Sequence, residues 1–256
     1  MNKEDLPALI GLPISIKDHI RVKGLRSTSG LVANHNDIDD QDAYIVEVLK
    51  QAGAVILCKG NVPQGMLTLE SSNRLWGNAE NPWNKSKTPG GSSGGEAGLV
   101  TTHCAPIGLG SDIGGSIRNP AYNCGIYGFK PSLGMLSSKR IKQLNGKNVY
   151  GFNAVEASTG PIANSMDDII LFIKALFGNF PKDFGCSKSE FNYKNFLNYS
   201  LFSNINTKNS TEKSTISYRI GYNYTFPRTE VAPGIIKEIE KMIKSIITFS
   251  KIKNLT

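Results

Sequence analysis

Two glycine-flanked serine clusters lie close together in the chain, within residues 88–118 (TPGGSSGGEAGLVTTHCAPIGLGSDIGGSIR). The first cluster covers residues 90–95, the second covers residues 114–116, and a short apolar run separates them. Because glycine has no side chain, its backbone can adopt positive φ angles and approach another group closely. The segment therefore predicts a site built from main-chain N–H groups and serine hydroxyls, around which the rest of the fold is arranged.

The first cluster also matches parts of two other glycine-rich motifs, and the sequence argues against both. A phosphate-binding loop of the form G-x-x-x-x-G-K-[ST] needs a lysine where Glu96 stands, and this carboxylate would repel a phosphate. Residues 91–95 match the G-x-S-x-G motif of α/β-hydrolases, which needs a histidine later in the chain. No histidine follows Ser116; the three are His19, His35 and His103. The order of residues therefore disfavours a Ser-His-Asp triad.

A serine nucleophile still needs a base. Lysine is the next candidate after histidine, because burial can hold a lysine amine neutral near pH 7. The best-placed lysine is Lys17, upstream of both clusters. Ile14 and Ile16 alternate with Ser15 and Lys17, and this alternation predicts a short strand.

Lys17, the GGSSGG cluster and the SDIGGSIR run, together and in this order, resemble the amidase signature family. Ser92 follows Lys17 by 75 residues and Ser116 follows Ser92 by 24, and both separations fit this family. The segments SSGGEAGL, KGNVPQGM and NPWNK look most like its fatty acid amide hydrolase branch. The resemblance covers about residues 11–176 and, less clearly, residues 217–247.

The resemblance implies a Ser-cisSer-Lys triad in which Ser116 is the nucleophile, Ser92 the proton shuttle and Lys17 the base. It also implies a cis peptide bond between Gly91 and Ser92. The structural alternatives at the three triad positions are a helix cap, a flexible turn and a surface ion pair. The oxyanion hole that the resemblance implies consists of four backbone N–H groups, those of Ile113, Gly114, Gly115 and Ser116.

Further residues receive roles from the same resemblance. Ser93 is predicted to donate a supporting hydrogen bond near the triad. Asp112 and Arg118 are predicted to orient the nucleophile loop through charge-assisted hydrogen bonds. Met66 and Gly91 are predicted to contact the substrate, with a plain core methionine as the alternative at position 66. The resemblance implies neither a metal ion nor an organic cofactor.

Composition bounds the class of protein. The chain has 256 residues, 39% of them hydrophobic and 20% charged, which is an ordinary soluble globular composition. No apolar run approaches the roughly 18 residues of a membrane span, and no secretory leader is visible. The four cysteines have neither metal-ligand nor disulfide spacing. These features predict a cytoplasmic protein, and they leave peripheral contact with an intracellular membrane open.

The formal net charge of +8 is unevenly distributed. Residues 1–128 carry 11 basic and 12 acidic side chains, whereas residues 129–256 carry 18 basic and 9 acidic ones. A basic half can bind nucleic acid or an anionic lipid surface. Because the lysines are scattered and no aromatic residues are interleaved with them, we expect solvated lysines and no nucleic-acid partner.

The order of predicted helices and strands indicates an α/β fold. The amidase signature fold implied by the resemblance has a mixed central sheet covered by helices on both faces. We expect strands at residues 14–17, 54–58, 106–110, 125–130 and 217–221, and we expect the strand at residues 54–58 to be buried. We expect helices at residues 41–51 (capped by Asp39 or Asp40 and ended by Gly53), near Met66, and at 94–102, 114–123, 166–177 (begun by Ser165) and 231–248. The first of these helices has four apolar residues on one face: Tyr44, Ile45, Val48 and Leu49. Residues 180–214 are expected to be a polar surface insertion or partly disordered. Because the family's domain is longer, residues 1–256 are expected to be an incomplete catalytic domain.

The main functional prediction is an amidase that hydrolyses a carboxamide bond through an acyl-enzyme, with a fatty acid amide as substrate. Two alternatives stay open. One is a glutaminase subunit of a tRNA-dependent amidotransferase, and the other is a truncated, inactive relative that binds a partner through its basic half. The predicted partner is a small, lipid-like amide, and a homodimer stays open.

Overall fold

The computed structural model describes residues 6–142, 156–179 and 233–253, except for the side chains of residues 177–179 and 246–253. The chain divides into two compact units, Met1–Asn198 and Tyr199–Thr256. The described part of the second unit is one helix. Two predictions fall outside the described residues: the polar insertion at residues 180–214 and the strand at residues 217–221.

The described residues of the first unit form seven strands and four α-helices. The strands are β1 (Pro13–Lys17), β2 (Val55–Gly60), β3 (Ser72–Asn73), β4 (Gly77–Asn78), β5 (Ile107–Asp112), β6 (Tyr127–Gly128) and β7 (Ser158–Ala163). The helices are α1 (Tyr44–Gln51), α2 (Gly94–Thr101), α3 (Arg118–Cys124) and α4 (Met166–Asn179), and the second unit contributes α5 (Pro233–Lys253). Short 3-10 turns lie at Val32–Asn34 and Gln64–Met66.

Five of the strands form one mixed sheet in the order β2-β1-β5-β7-β6. β1 pairs in parallel with β2 and with β5, whereas β7 runs antiparallel to β5 and β6. β3 and β4 form a separate two-stranded hairpin. The predicted α/β class and the mixed central sheet are therefore confirmed.

The alternating side chains of β1 point to two different layers. Ile14 and Ile16 belong to the main apolar core, which also contains buried residues of α1 and α4. Successive side chains of a strand point to opposite faces of the sheet. Ser15 and Lys17 therefore lie on the other face, the one that α2 covers, and both are fully buried. β1 thus separates the core from the polar layer in which the site lies.

Helix α1 begins later than predicted and without the predicted cap. Its N-cap is Ala43, which makes no side-chain capping hydrogen bond. The Asp39 carboxylate instead accepts a hydrogen bond from Val22 N (3.0 Å) and one from Ser27 Oγ (2.6 Å), so it is not available to the helix. The helix ends at Gln51, as predicted, because Gly53 has a φ of +90° just after the C-cap. The four apolar residues predicted for its inner face are all buried: Tyr44, Ile45, Val48 and Leu49.

Strand β2 is predicted as buried at residues 54–58, but it lies at one edge of the described sheet. It pairs there with β1, and its other edge has no neighbouring strand among the described residues. Val55 and Leu57 are accordingly half-exposed. The prediction of full burial is wrong because periodicity alone does not distinguish a central strand from an edge strand.

The elements around the serine clusters agree with prediction in type and differ in length. α2 ends one residue earlier than predicted, and β5 continues to Asp112. β6 is only two residues long, where a six-residue strand was predicted. β7 was not predicted from the sequence, because the segment STGPIA lacks alternation and contains Pro161, a residue that usually argues against a central strand.

Helix α4 starts where Ser165 predicts it. Ser165 Oγ accepts a hydrogen bond from Asp168 N (3.1 Å), which is one of the two bonds of a capping box, and its hydroxyl also donates to the Asp168 carboxylate (2.6 Å). α5, predicted at residues 231–248, begins with Pro233, a residue favoured in the first turn of helices. None of the described helices is both long and apolar enough to span a bilayer.

We expect Phe172→Ala to lower the free energy of unfolding by about 3–5 kcal/mol, since the Phe172 ring is fully buried in the core and its loss leaves a cavity. Leu171→Ala on the same helix is the matched control, because Leu171 is 41% exposed and its truncation leaves no cavity. Denaturant unfolding followed by circular dichroism measures both variants. Equal losses for the two would contradict the packing of α4 against the sheet.

Candidate active site

The amine of Lys17 lies between two serines in the layer under α2. Its Nζ is 2.8 Å from Ser92 Oγ, 3.0 Å from Ser111 Oγ and 3.1 Å from the Ser111 carbonyl oxygen. A neutral amine has two N–H donors and one lone pair. The Ser111 carbonyl can only accept, so it takes one N–H group of the amine. When the Ser111 hydroxyl accepts the second N–H group, the lone pair faces the Ser92 hydroxyl.

Burial decides the charge of this amine. It lowers the pKa of Lys17 from 10.5 to about 7, while the nearby carboxyl groups of Glu96 and Asp112 act in the opposite direction. A substantial fraction of Lys17 is therefore neutral near pH 7. The alternative of a surface ion pair with Asp18 does not hold, because Lys17 is fully buried. Asp18 accepts hydrogen bonds from Thr28 and Ser29 instead.

The first serine cluster is buried, and its peptide bond between Gly91 and Ser92 is cis, as the resemblance implies. Ser93 connects this cluster to the two later segments. Its backbone N–H donates to the Ser116 carbonyl (3.1 Å), and its Oγ lies 3.3 Å from the Ser111 carbonyl oxygen. Ser93 therefore joins both serine clusters to β5, which fits its predicted supporting role.

The second serine cluster forms a loop between β5 and α3. Ser116 was predicted near the start of a helix, but α3 begins only at Arg118, so Ser116 precedes the helix and is half-buried. The Asp112 carboxylate accepts hydrogen bonds from the backbone N–H groups of Gly115 (2.7 Å), Ile117 (3.0 Å) and Arg118 (3.3 Å). These bonds hold the chain in a loop around the carboxylate and delay the helix.

Arg118 completes this arrangement with a two-pronged ion pair. Its Nε lies 3.1 Å from Asp112 Oδ2, and its Nη2 lies 3.0 Å from Asp112 Oδ1. The side chain of Asp112 is fully buried, whereas that of Arg118 is more than half exposed. The contacts agree with the predicted orienting role of the pair.

Three of the four predicted oxyanion donors are free. Among the described residues, no partner accepts a hydrogen bond from the backbone N–H of Ile113, Gly114 or Ser116. Gly115 differs from the prediction, because its N–H donates to Asp112. It could bind an oxyanion only if this hydrogen bond were broken.

The two predicted substrate contacts lie in different surroundings. Gly91 is buried, its N–H donates to Asn119 Oδ1 (3.1 Å), and a Cβ at this position would lie 2.6 Å from the Glu70 carbonyl oxygen. Gly91 thus packs against the protein itself. Met66 is half-buried in the 3-10 turn after β2, and the main apolar core does not include it among the described residues. Its contact with a substrate stays a prediction.

Ser111 was not predicted from the sequence. This residue stands in the SDIGGSIR run, directly before Asp112, but a serine in a short apolar strand has no feature that marks it as a partner of Lys17. Its role becomes visible only through the pairing of β1 with β5. Within the described residues, no group of three or more His, Cys, Asp or Glu side chains is placed to hold a metal ion.

The hydrogen bonds that hold the loop of Ser116 depend on pH, because they require the ionised Asp112 carboxylate. Burial acts to raise the pKa of Asp112, but the hydrogen bonds from the Arg118 side chain and from three backbone N–H groups outweigh it and lower the pKa from 3.8 to about 2. A carboxyl group whose pKa is lower in the folded state than in the unfolded state stabilises the fold at pH values above its unfolded-state pKa. This stabilisation is lost as the pH falls towards the folded-state pKa.

We therefore expect Asp112→Asn to lower the free energy of unfolding by roughly 1–2 kcal/mol near neutral pH, since the variant loses the charge on the acceptor. The difference from the wild type should shrink between about pH 5 and pH 2. Denaturant unfolding at several pH values measures this. A difference that stays constant with pH would contradict the lowered pKa.

Comparisons with known proteins show similarity to amidases. A sequence model of the family described as "Amidase" matches residues 1–249. Fatty-acid amide hydrolase 1 from Sus scrofa is 45% identical over 168 residues, which are 66% of this chain and 28% of the pig protein.

Solved structures show the same likeness. A fatty acid amide hydrolase superposes with a TM-score of 0.62 at 36% identity, over 65% of this chain and 29% of that one. A glutamyl-tRNA(Gln) amidotransferase subunit from Thermotoga maritima gives a TM-score of 0.60 at 30% identity, over 67% of this chain and 36% of the other. The matched part of this chain thus spans about a third of these relatives or less. On the match to the family model over nearly its whole length, this chain belongs to the amidase family.

Proposed function

We propose that this chain carries the catalytic residues of an amidase that cleaves a carboxamide bond through a serine acyl-enzyme. The observation that supports this most directly is the fully buried Lys17 amine, 2.8 Å from Ser92 Oγ and with a pKa lowered to about 7. A catalytic base works best when its pKa lies near the working pH. Membership of the amidase family supports the same reaction class.

The proposed reaction starts with two proton transfers. Ser92 gives its hydroxyl proton to Lys17 Nζ and takes the hydroxyl proton of Ser116. Ser116 Oγ then forms a bond to the amide carbon, and the C=O electron pair moves to the oxygen. The free backbone N–H groups of the nucleophile loop would stabilise this oxyanion, and losing one such donor typically slows a reaction by about 10²–10³.

The tetrahedral intermediate collapses when the C–N bond breaks. Lys17 returns its proton through Ser92 to the leaving nitrogen, so an amine or ammonia departs and the acyl group stays on Ser116. Water then attacks the ester, and the same groups act in reverse order. In this scheme Ser111 keeps the Lys17 lone pair directed at Ser92, because its two oxygens occupy the N–H donors.

We infer that the substrate is a fatty acid amide. The similarity to Fatty-acid amide hydrolase 1 supports this substrate class, as do the segments SSGGEAGL and KGNVPQGM. Ile113, whose backbone N–H is one of the proposed oxyanion donors, is 56% exposed, and its side chain offers an apolar contact. With such a substrate, we expect a cytoplasmic protein that acts at the periphery of an intracellular membrane.

We expect a fluorophosphonate probe to label Ser116, since the activated hydroxyl displaces fluoride from phosphorus. Ser116→Ala should abolish labelling. Lys17→Ala should slow it by about 10²–10⁴, the usual contribution of a general base. Intact-protein and peptide mass spectrometry measures the adduct and its site.

Lys23→Ala is the control for this experiment, because Lys23 is an exposed lysine close to the same strand. It should be labelled at the wild-type rate. Labelling of Ser116 that persists at full rate in Lys17→Ala would rule out lysine as the base. A chain that unfolds cooperatively but takes up no label would favour the inactive, partner-binding alternative.

We expect release of ammonia from oleamide to exceed release from acetamide and from glutamine by at least about tenfold in kcat/KM. Each buried methylene of an acyl chain contributes about 0.8 kcal/mol, so a few methylenes suffice. A coupled ammonia assay with the three amides measures this. Preference for glutamine would instead support the glutaminase alternative, to which the similarity with the amidotransferase protein points.

A further inference from the structure

A carboxyl group without an assigned role lies beneath the proposed base. Glu96 is the third residue of α2 and is fully buried against the sheet. Two glycines make room for it: a Cβ on Gly60 would lie 2.1 Å from Glu96 Oε1, and a Cβ on Gly108 would lie 2.8 Å from Glu96 Cβ. Because Gly60 is the β2 partner of Lys17, the carboxyl group and the lysine lie on the same face of the sheet.

This carboxyl group has few hydrogen-bond partners in the described part of the protein. The backbone N–H groups of Gly60 and of Glu96 itself lie nearby, but no hydrogen bond of good geometry reaches either oxygen among the described residues. The hydroxyl of Ser15, on the same face of β1, is also buried without a partner among those residues. An ionised carboxylate in such a place is unfavourable unless a positive charge balances it.

Several charged and titratable groups lie near Glu96 and Lys17. Burial raises the pKa of Glu96 from 4.5 to about 7, Lys17 opposes this rise, and Asp18 adds to it. The Glu96 charge in turn raises the pKa of Lys17 and that of Lys59. Glu96 interacts electrostatically with Lys17, Asp18, Cys58 and Lys59, whereas His19 and Asp112 interact with Lys17.

We propose that Glu96 is a positioning residue for the proposed reaction, a buried carboxyl group placed to set the proton affinity of Lys17. This inference rests on the proposed function, in which Lys17 is the base. In the step it affects, one proton leaves Ser92 Oγ and arrives at Lys17 Nζ, where it creates an ammonium ion in a site closed to water. An ionised Glu96 balances that charge without exchanging a proton itself.

Removing the charge of Glu96 should lower the pKa of Lys17 and so make it a weaker base. Without the carboxylate, Lys17 stays neutral to lower pH, because nothing nearby on α2 favours its charged form. The acid limb of the pH profile then moves to lower pH. The rate on the alkaline plateau falls as well, since the amine takes up the Ser92 proton less readily.

The direct test is a titration of Lys17 by nuclear magnetic resonance. The full chain is labelled with [ε-¹³C]lysine, and Lys17→Met identifies the resonance. In the wild type we expect a broadened curve, because two coupled groups lose their protons in two macroscopic steps. In Glu96→Gln we expect a single-proton curve with its midpoint lower by about one pH unit, as for the loss of a nearby opposite charge.

Glu80→Gln is the matched control, because Glu80 is an exposed carboxylate that faces solvent. It should leave the Lys17 curve unchanged. If Glu96→Gln does not fold, Glu96→Met removes the same charge with an apolar side chain, and the wild-type curve stands as a test by itself. A wild-type curve that fits one proton, or a midpoint that is equal in wild type and variant, overturns the proposal.

A second readout separates this proposal from the proposed function. Fluorophosphonate labelling of Ser116 is measured against pH in the wild type and in Glu96→Gln. Labelling whose acid limb does not move refutes the role of Glu96 and leaves the amidase mechanism standing. A shifted Lys17 titration in a chain that takes up no label supports the coupling of the two groups and refutes the proposed function.

Discussion

The architecture of the site depends on keeping one amine away from water. A lysine side chain is normally charged and hydrated, and moving it into a protein interior disfavours the charged form. The fold meets this constraint with β1, because alternate side chains of this strand point to opposite faces of the sheet. Ile14 and Ile16 fix the strand to the apolar core, so Lys17 is held on the opposite face under α2. A flexible surface lysine could not be kept neutral in this way.

The two serine clusters are held near this amine by hydrogen bonds between main-chain and side-chain groups, together with the packing of the buried Ile117 against Val100 and Ile162. Ser93 donates to the Ser116 carbonyl, and the Asp112 carboxylate gathers three N–H groups and a guanidinium. Charge-assisted bonds of this kind are directional and about twice as strong as neutral ones. They hold the loop that carries Ser116, the proposed nucleophile, in one shape. Such preorganisation is what an oxyanion site requires.

The sequence was sufficient to identify the pieces of the site, but not all the contacts among them. Lys17 and the two serine clusters could be found because glycine spacing and strand alternation are local patterns. Ser111 could not, since its importance comes from the pairing of β5 with β1. The start of α3 was placed too early, because a helix boundary set by a carboxylate six residues upstream is a tertiary effect. β7 was missed for a related reason: buried on both faces, it needs no alternation.

The close fit of Glu96 over Gly60 and Gly108 has a consequence for how this site can change by mutation. An alanine at position 60 would overlap the carboxyl group, whereas a shorter residue at position 96 would leave a void above both glycines. Each single change is therefore unfavourable. A shorter side chain at position 96 would relieve only part of the overlap, because a Cβ on Gly60 would still lie 2.9 Å from the Glu96 backbone nitrogen. Contacting positions of this kind show non-additive effects. Engineering of this layer has to treat the three positions as one unit, because the effect of a change at one of them depends on the residues at the other two.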